Sequence, residues 1–448
     1  MLVVALGIIA AVLSATSFNV AIPALMEEFA LGQERVQWAV TGFMGAMTLA
    51  MLPTPWLLDR FGFRSCFLTA LAVLALASVA GSVSPSFGFL VAMRVVQGAA
   101  AGLLQPLGIL AVMRLFPLHA QGRASGMLGF GIVLAPATAP ALGGMLLDHF
   151  GWTAIFWLSL PFCLIAGIAA LFLLPVAEER TAKPFDWRGV VLLALATLAS
   201  IEAVAALQHS GAWSLTAVLP AAGAVLGFGV FAWHSGRAAA PIIQPALFAN
   251  RAFAMGNVVA FVYGFGLYAS TYLIPVFMLT ALGYSATEAG AALLPAGVVL
   301  AVCIPIAGRL ADRYAPQKVT VAGLLVLGAS FVLLAAYGGG ISHGKLIAFI
   351  IVGRIGLGMI LPSLNLAGLR GMARHQLGQA SMVISYARQL GGVLGVAICA
   401  VFVEWRLSVM EPEAAAQAFA QSFVLLTAVF GVAFVAALGM RSPKPRAS

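Results

Sequence analysis

Long apolar runs alternate with short polar breaks along the whole chain. Each run holds roughly 20 residues, and at 1.5 Å per residue a helix of that length crosses a hydrocarbon core of about 30 Å. The pattern predicts fourteen spans, over residues 2–24, 38–58, 65–84, 89–113, 122–146, 153–174, 188–207, 213–233, 254–280, 288–310, 318–337, 346–368, 379–403 and 420–440. The breaks include DRFGFR, RLFPLHAQGR, AEERTAKPFDWR, RLADRYAPQK and RGMARHQ, and the chain ends in a basic tail, RSPKPR. Leu2 already opens the first span, and no cleavable leader of the secretory kind is expected before it.

Composition turns this pattern into a class. Of 448 residues, 62% are hydrophobic and 8% charged, whereas soluble domains carry about a quarter charged residues. A water-soluble core could not bury so much apolar surface, so the expectation is an all-α polytopic membrane protein. The net charge of +9 would suit a nucleic-acid partner, but the placement of the charges argues for topology instead. Of the 23 Lys and Arg, only Arg35, Lys345 and Arg406 follow odd-numbered spans, and only Arg94, Arg354 and Arg388 lie deep inside spans rather than at their ends or in the breaks. The rest follow even-numbered spans or lie in the tail. Positive residues stay on the cytoplasmic side, so both termini are expected there, in a plasma membrane (a bacterial inner membrane). The four cysteines, Cys66, Cys163, Cys303 and Cys399, form no CxxC pair and read as packing residues, with no metal or disulfide role.

The chain also repeats. WLLDRFG follows span 2 and RLADRYA follows span 10, which matches Asp59 with Asp312; Arg94 in span 4 matches Arg354 in span 12. Spans 1–6 and 9–14 therefore read as two copies of a six-helix unit, covering residues 1–175 and 251–448, with two inserted helices in 176–250. Repeated halves around a midplane site are the architecture of secondary transporters.

Several segments then carry a family resemblance. TSFNVAIPAL in span 1 places Asn19 and Pro23 in a segment resembling N-V-A-L-P. LLDRFGFR resembles the loop motif G-x-L-x-D-R-x-G-R-K at Asp59, Arg60 and Gly62. RVVQGAAAG matches R-x-x-Q-G at Arg94, Gln97 and Gly98. APATAPALGG resembles G-P-x-x-G-P-x-x-G-G at Pro136, Pro140, Gly143 and Gly144, with Ala135 and Ala139 in place of the interior glycines. RQLGGVLG in span 13 supplies Arg388 and Gln389. Together, in this order, they resemble the fourteen-helix drug:proton antiporters of the major facilitator superfamily over essentially the whole length. The resemblance implies two six-helix bundles plus two inserted helices, alternating access about a central cavity, and proton-driven export of small lipophilic compounds.

The residues have physical readings of their own. Asp59 and Asp312 end helices and are followed by Arg60 and Arg313. Such a carboxylate can pair with a basic neighbour or face the positive N-terminus of another helix, acting as a latch that breaks when the transporter switches; the alternative is a solvated turn. The second turn has Ala315 where the first has Gly62, and is expected to latch more weakly. The small residues of span 5 permit a sliding or bending helix contact, or simply close packing. Arg94 cannot carry a proton, because arginine does not deprotonate in proteins. Three roles stay open for it: a fixed positive field, a forked pair with an anionic substrate group, or donation to backbone carbonyls. Gln97 lies one helical turn away and can orient it.

The acid that the family carries in span 1 is Ser14 here. Few acids remain inside: Glu202 in span 7 and Glu404 at the outer end of span 13, with Asp148 at the outer end of span 5; Glu202 is the leading candidate for proton coupling, against a snorkelling interfacial carboxylate. A cavity with arginines and few acids favours anionic or neutral compounds, with Arg94 as first anchor and Arg388 as second. The energy source implied is a proton gradient, with no cofactor. The expected partners are the bilayer, a small-molecule substrate and protons, without nucleic acid, and the chain is expected to act as a monomer. Substrate identity and any periplasmic adaptor are not legible. No HExxH, GxSxG or other catalytic constellation occurs, so the chain is not expected to be an enzyme. The rival readings are an uptake symporter or facilitator of the same fold, and a transporter-like receptor that binds without moving ligand.

Overall fold

The structure, a computed structural model, describes residues 1–174, 184–210, 214–410 and 415–440, without the side chains at 33–34, 133–134, 136–138, 140–141, 208–210 and 286–287. The described chain is helical throughout and holds no strand. Its α-helices are α1 (Leu2–Thr16), α2 (Ile22–Glu28), α3 (Gln33–Val36), α4 (Trp38–Ala50), α5 (Thr54–Phe61), α6 (Phe63–Ser82), α7 (Phe87–Leu115), α8 (Gln121–Phe150), α9 (Leu160–Leu173), α10 (Trp187–Ser210), α11 (Leu215–Ser235), α12 (Arg251–Thr280), α13 (Ala286–Arg313), α14 (Pro316–Tyr337), α15 (His343–Leu369), α16 (Leu377–Val409) and α17 (Ala415–Leu438).

Among the described residues, twelve stretches are long and apolar enough to cross a membrane. The predicted spans 38–58 and 122–146 fall outside those twelve: the first is divided into α4 and α5, and the second lies in α8. The division has a local cause. Pro53 and Pro55 remove backbone donors, so the helix stops at Ala50 and restarts at Thr54. Span 1 is interrupted as well, by a 3-10 turn over Ser17–Ala21. There the hydroxyls of Thr16 and Ser17 donate back to the carbonyls of Val12 and Leu13, at 2.9 and 2.7 Å, and Pro23 begins the next helix. The single continuous helices expected over 2–24 and 38–58 are therefore each broken.

The contacts divide the chain into two compact units. The first comprises residues 1–117, 127–185 and 377–382; the second comprises 118–126, 186–376 and 383–448. The inserted pair, α10 and α11, is grouped with the second unit. The opening turns of α8 belong to the second unit and those of α16 to the first, so each of these helices changes unit within its length.

Small residues set the closest helix crossings. In the first unit, α4 and α7 meet where a Cβ at Gly98 or Gly102 would overlap the carbonyl oxygens of Phe43 and Met47. In the second, Gly264 on α12 abuts the carbonyl of Arg388, and Gly391 on α16 abuts that of Phe261. Lipid tails are as apolar as leucine, so close van der Waals packing at such points drives association. For the same reason, large apolar side chains face outward without cost: Phe172 is 82% and Val225 74% exposed. Inside, Phe18 packs edge-on against Phe156 in the first unit, and Phe331, Phe423 and Phe430 pack together in the second.

Candidate functional site

Arg94 lies in the interior of α7 and is 1% exposed. Its Nε donates to the Ala39 carbonyl at 3.1 Å, and its Nη1 to the Ser14 carbonyl at 2.9 Å, the Ser14 hydroxyl at 3.4 Å and the Gln97 amide oxygen at 3.0 Å. Gln97 in turn donates to the Ser78 hydroxyl at 2.7 Å, which lies 3.2 Å from that of Ser159. The guanidinium sits between the rings of Phe18 and Phe43, 4.2 Å from each centroid, so cation–π attraction adds to the hydrogen bonds. Only Nη2 is buried without a partner. Of the three roles open to Arg94, donation to carbonyls is the one this geometry displays. Gln97 orients it as expected from its spacing, and Gly98 brings α4 close enough for Phe43 to close over it. Every described acceptor of Arg94 is neutral, so the charge stays electrically uncompensated at the heart of the unit.

The turn after α13 is a second centre. The Asp312 carboxylate accepts from the Gly122 amide at 2.6 Å and from the Arg123 amide at 2.8 Å. These amides are among the first four of α8, which no helix can satisfy internally, and the helix dipole favours a negative charge there. Gly308 and Gly122 make the approach possible, since a Cβ on either would overlap the other's backbone. The turn needs no glycine: Tyr314 and Ala315 take φ of −112° and −57°. In the first turn, Gly62 ends α5 at φ 81° and donates to the Leu58 carbonyl at 2.9 Å, a conformation that disfavours any residue with a Cβ. Asp59 is half-buried beside it, and Arg60 is exposed with its guanidinium 5.4 Å from the Trp56 ring centroid. Arg313 is exposed.

The other sequence candidates are scattered. Arg354 on α15 and Arg388 on α16 are partly exposed in the second unit, with Gln389 buried. Asn19 is exposed on the 3-10 turn and Glu202 is exposed on α10. Gly143 packs toward Ser17 (a Cβ would lie 3.3 Å from its carbonyl), whereas Gly144 faces open space. Pro136 and Pro140 lie in α8, but their side chains fall outside the described residues.

The sequence reading missed the cage around Arg94, although R-x-x-Q-G had pointed to its centre. It also missed two contacts of the inserted pair. Asp186, just before α10, accepts from the Gly189 amide at 2.9 Å, the Ile242 amide at 3.1 Å and the His234 ring at 2.8 Å. Burial alone would push this carboxyl up; the hydrogen bonds from His234, Gly189 and Ile242 outweigh it and hold it below the ordinary value of 3.8. An Asp at the residue before a helix is an N-cap signal legible in FDWRG. Farther along α10, Thr197 hydrogen-bonds Tyr386, two residues before Arg388; nothing in the sequence marks that pair.

Apolar helices long enough to cross a membrane, in two compact units, define a multi-pass helical membrane architecture. The chain belongs to the Major Facilitator Superfamily, whose family pattern matches residues 4–396. It is 30% identical over 425 residues to the tetracenomycin C resistance and export protein of Streptomyces glaucescens, covering 93% of this chain and 78% of that one. It is 29% identical over 403 residues to a multidrug resistance protein B homolog of Mycobacterium tuberculosis, covering 88% and 74%. Among solved structures it resembles the human organic anion transporter MFSD10, with a TM-score of 0.65, 16% identity, and 96% and 98% of the two chains covered; at that identity the likeness concerns the fold alone.

Proposed function

We propose that this protein exports small lipophilic compounds in exchange for protons, by alternating access, as a fourteen-helix member of the drug:proton antiporters. Export is supported by the relatives above, which are named for resistance and export. Both termini face the cytoplasm of a bacterial inner membrane, and the protein works as a monomer driven by the proton gradient. Reporters fused at Lys183 or the tail should then read cytoplasm, and one at Glu411 outside.

Anionic or neutral substrates are favoured over cations. The observation that carries this is Arg94, a buried cation whose described acceptors are all neutral oxygens. A cationic dye about 8 Å away would meet roughly 2 kcal/mol of repulsion at an effective dielectric near 20. Arg94 spends most of its donors on carbonyls and on Gln97 within the unit, and the charge left there adds a fixed field to that structural role, so the anchoring role passes from it to Arg388. The coupled proton is assigned to Glu202.

The test is substrate-induced pH change in inverted vesicles, with lipophilic acids, neutral compounds and quaternary ammonium dyes. Acids and neutrals should release lumenal protons and the dyes should not. Robust export of the dyes alone refutes the charge preference. An unchanged proton signal in Glu202→Gln refutes that assignment. Accumulation in right-side-out vesicles, driven by the gradient, would indicate an uptake symporter.

A further inference from the structure

The last turns of α11 set a cation beside an apolar groove. Val225, Leu226, Gly229, Val230 and Trp233 line an open groove of about 480 Å³. Gly229 leaves a notch in it, since a Cβ there would find nothing within 4 Å. From Val225 to Trp233 the groove runs roughly 12 Å along the helix axis. Trp233 stands at one end, 60% exposed, and the Arg237 guanidinium lies over its ring, 4.5 Å from the centroid. The Arg237 amide donates to the His234 carbonyl at 2.9 Å, which fixes the residue just past the helix. Among the described residues, the Arg237 side chain makes no hydrogen bond and no ion pair. Asp186, the described acid at this end of the pair, already accepts from His234 at 2.8 Å and from the amides of Gly189 and Ile242. Its bond to His234 also sets the start of α10, where Arg188 is exposed, beside the end of α11.

Outward apolar side chains are ordinary on a lipid-facing helix; a groove that ends at a cation without an acidic partner calls for a charged occupant. The groove follows the axis of a helix that crosses the bilayer, as an acyl chain does. Tryptophan settles at the level of the headgroups, so Trp233 and Arg237 mark where such a chain meets its polar head. Guanidinium donors match a phosphate as a fork, and stacking on Trp233 holds their plane while Arg237 stays exposed. We propose that this face of α11 and Arg237 form a site for one anionic phospholipid, its acyl chain in the groove and its phosphate on the guanidinium. A second copy of the chain is the rival occupant. A two-fold axis along the membrane normal would pair α11 with itself and set like charge against like charge at Arg237. The site stands independently of the export reading.

The probes are phosphatidylglycerol and phosphatidylcholine with the same brominated acyl chains, each titrated into unbrominated phosphatidylcholine in nanodiscs that hold the full chain. Acyl-chain bromines quench a tryptophan that they touch. The chain has eight tryptophans, so the Trp233 signal is the difference from Trp233→Phe in each background. Wild type should reach half-quenching of Trp233 at about a fivefold lower fraction of phosphatidylglycerol than of phosphatidylcholine, the range for one basic residue at an anionic headgroup. Arg237→Gln should bring the two lipids to within about twofold. Arg188→Gln removes a charge at the same end of the pair and should keep most of the preference. Gly229→Phe fills the groove where a Cβ has open space, so the melting temperature should hold while quenching by both lipids falls. Equal quenching by the two lipids in wild type, or a preference that survives Arg237→Gln, overturns the site. An equal loss in Arg188→Gln also overturns it, since the general charge of that end would then suffice. Trp233 shielded from both lipids, with dimers in light scattering that Gly229→Phe abolishes, gives the face to a second copy and overturns the lipid site.

Discussion

Replacing Asp312 by Asn tests the latch at the level of individual atoms. The carboxylate receives two amide hydrogens, from Gly122 at 2.6 Å and Arg123 at 2.8 Å. Asn keeps one acceptor oxygen and turns the other into an NH2 group, which faces an amide N–H and cannot accept from it. One charge-assisted bond is lost, worth about 1.5–3 kcal/mol, along with the favourable charge at the helix start. Asp312 is only half-buried, so solvent screening brings the total to about 2 kcal/mol. If the bond forms only in the state seen here, that state loses about 30-fold in population relative to its alternative. Hydrogen exchange reads this directly. The first amides of a helix have no internal partner, so protection at Gly122 and Arg123 reports on Asp312 alone. In nanodiscs, a peptide covering residues 118–126 should exchange about 30-fold faster in the variant. Turnover in vesicles should fall while substrate affinity changes less than about twofold. Unchanged exchange with normal turnover refutes the latch, and equal loss of affinity and turnover with slower folding points to a purely structural cap.

Gly98→Ala should lower thermal stability by about 1–3 kcal/mol, since its Cβ overlaps the Phe43 carbonyl; Gly144→Ala, with open space at its Cβ, should be neutral, and equal effects in a melting assay would contradict the packing argument. Ser14→Asp places a carboxylate on Arg94, whose Nη1 is already 3.4 Å from the Ser14 hydroxyl, and should shift the efflux panel toward cationic dyes; a panel identical to wild type would contradict the fixed-field role. The Asp186 carboxyl is held below its ordinary value of 3.8, so its stabilisation is fully present above that value and is lost as pH falls through the lowered one. Wild type should therefore lose melting temperature on acidification below about pH 4, and Asp186→Asn, already without the carboxylate, should show less of this loss.

The sequence by itself determined the solvent, the class and the positions of most helices. A chain in which apolar runs recur at bilayer length can satisfy its backbone only as helices, and the repeated DR turns and R-x-x-Q-G segment marked where chemistry would gather. What it could not give were the partners. Arg94 reads in sequence as an anomalous charge with three open roles; only the meeting of α1 and the 3-10 turn after it with α4 and α7 shows two carbonyls and two phenyl rings closing around it. The Ala315 turn reads as the weaker copy because it lacks a glycine; the structure shows ordinary backbone angles there, and a carboxylate bound to a helix start some 190 residues away in sequence. Tyr263 carries no motif and stands out only because burial has left its hydroxyl without a hydrogen-bond partner. Local periodicity depends on neighbours a few positions apart and is written in the chain. The hydrogen bonds and charge balance of a membrane interior are made between helices distant in sequence, and there the tertiary structure decides.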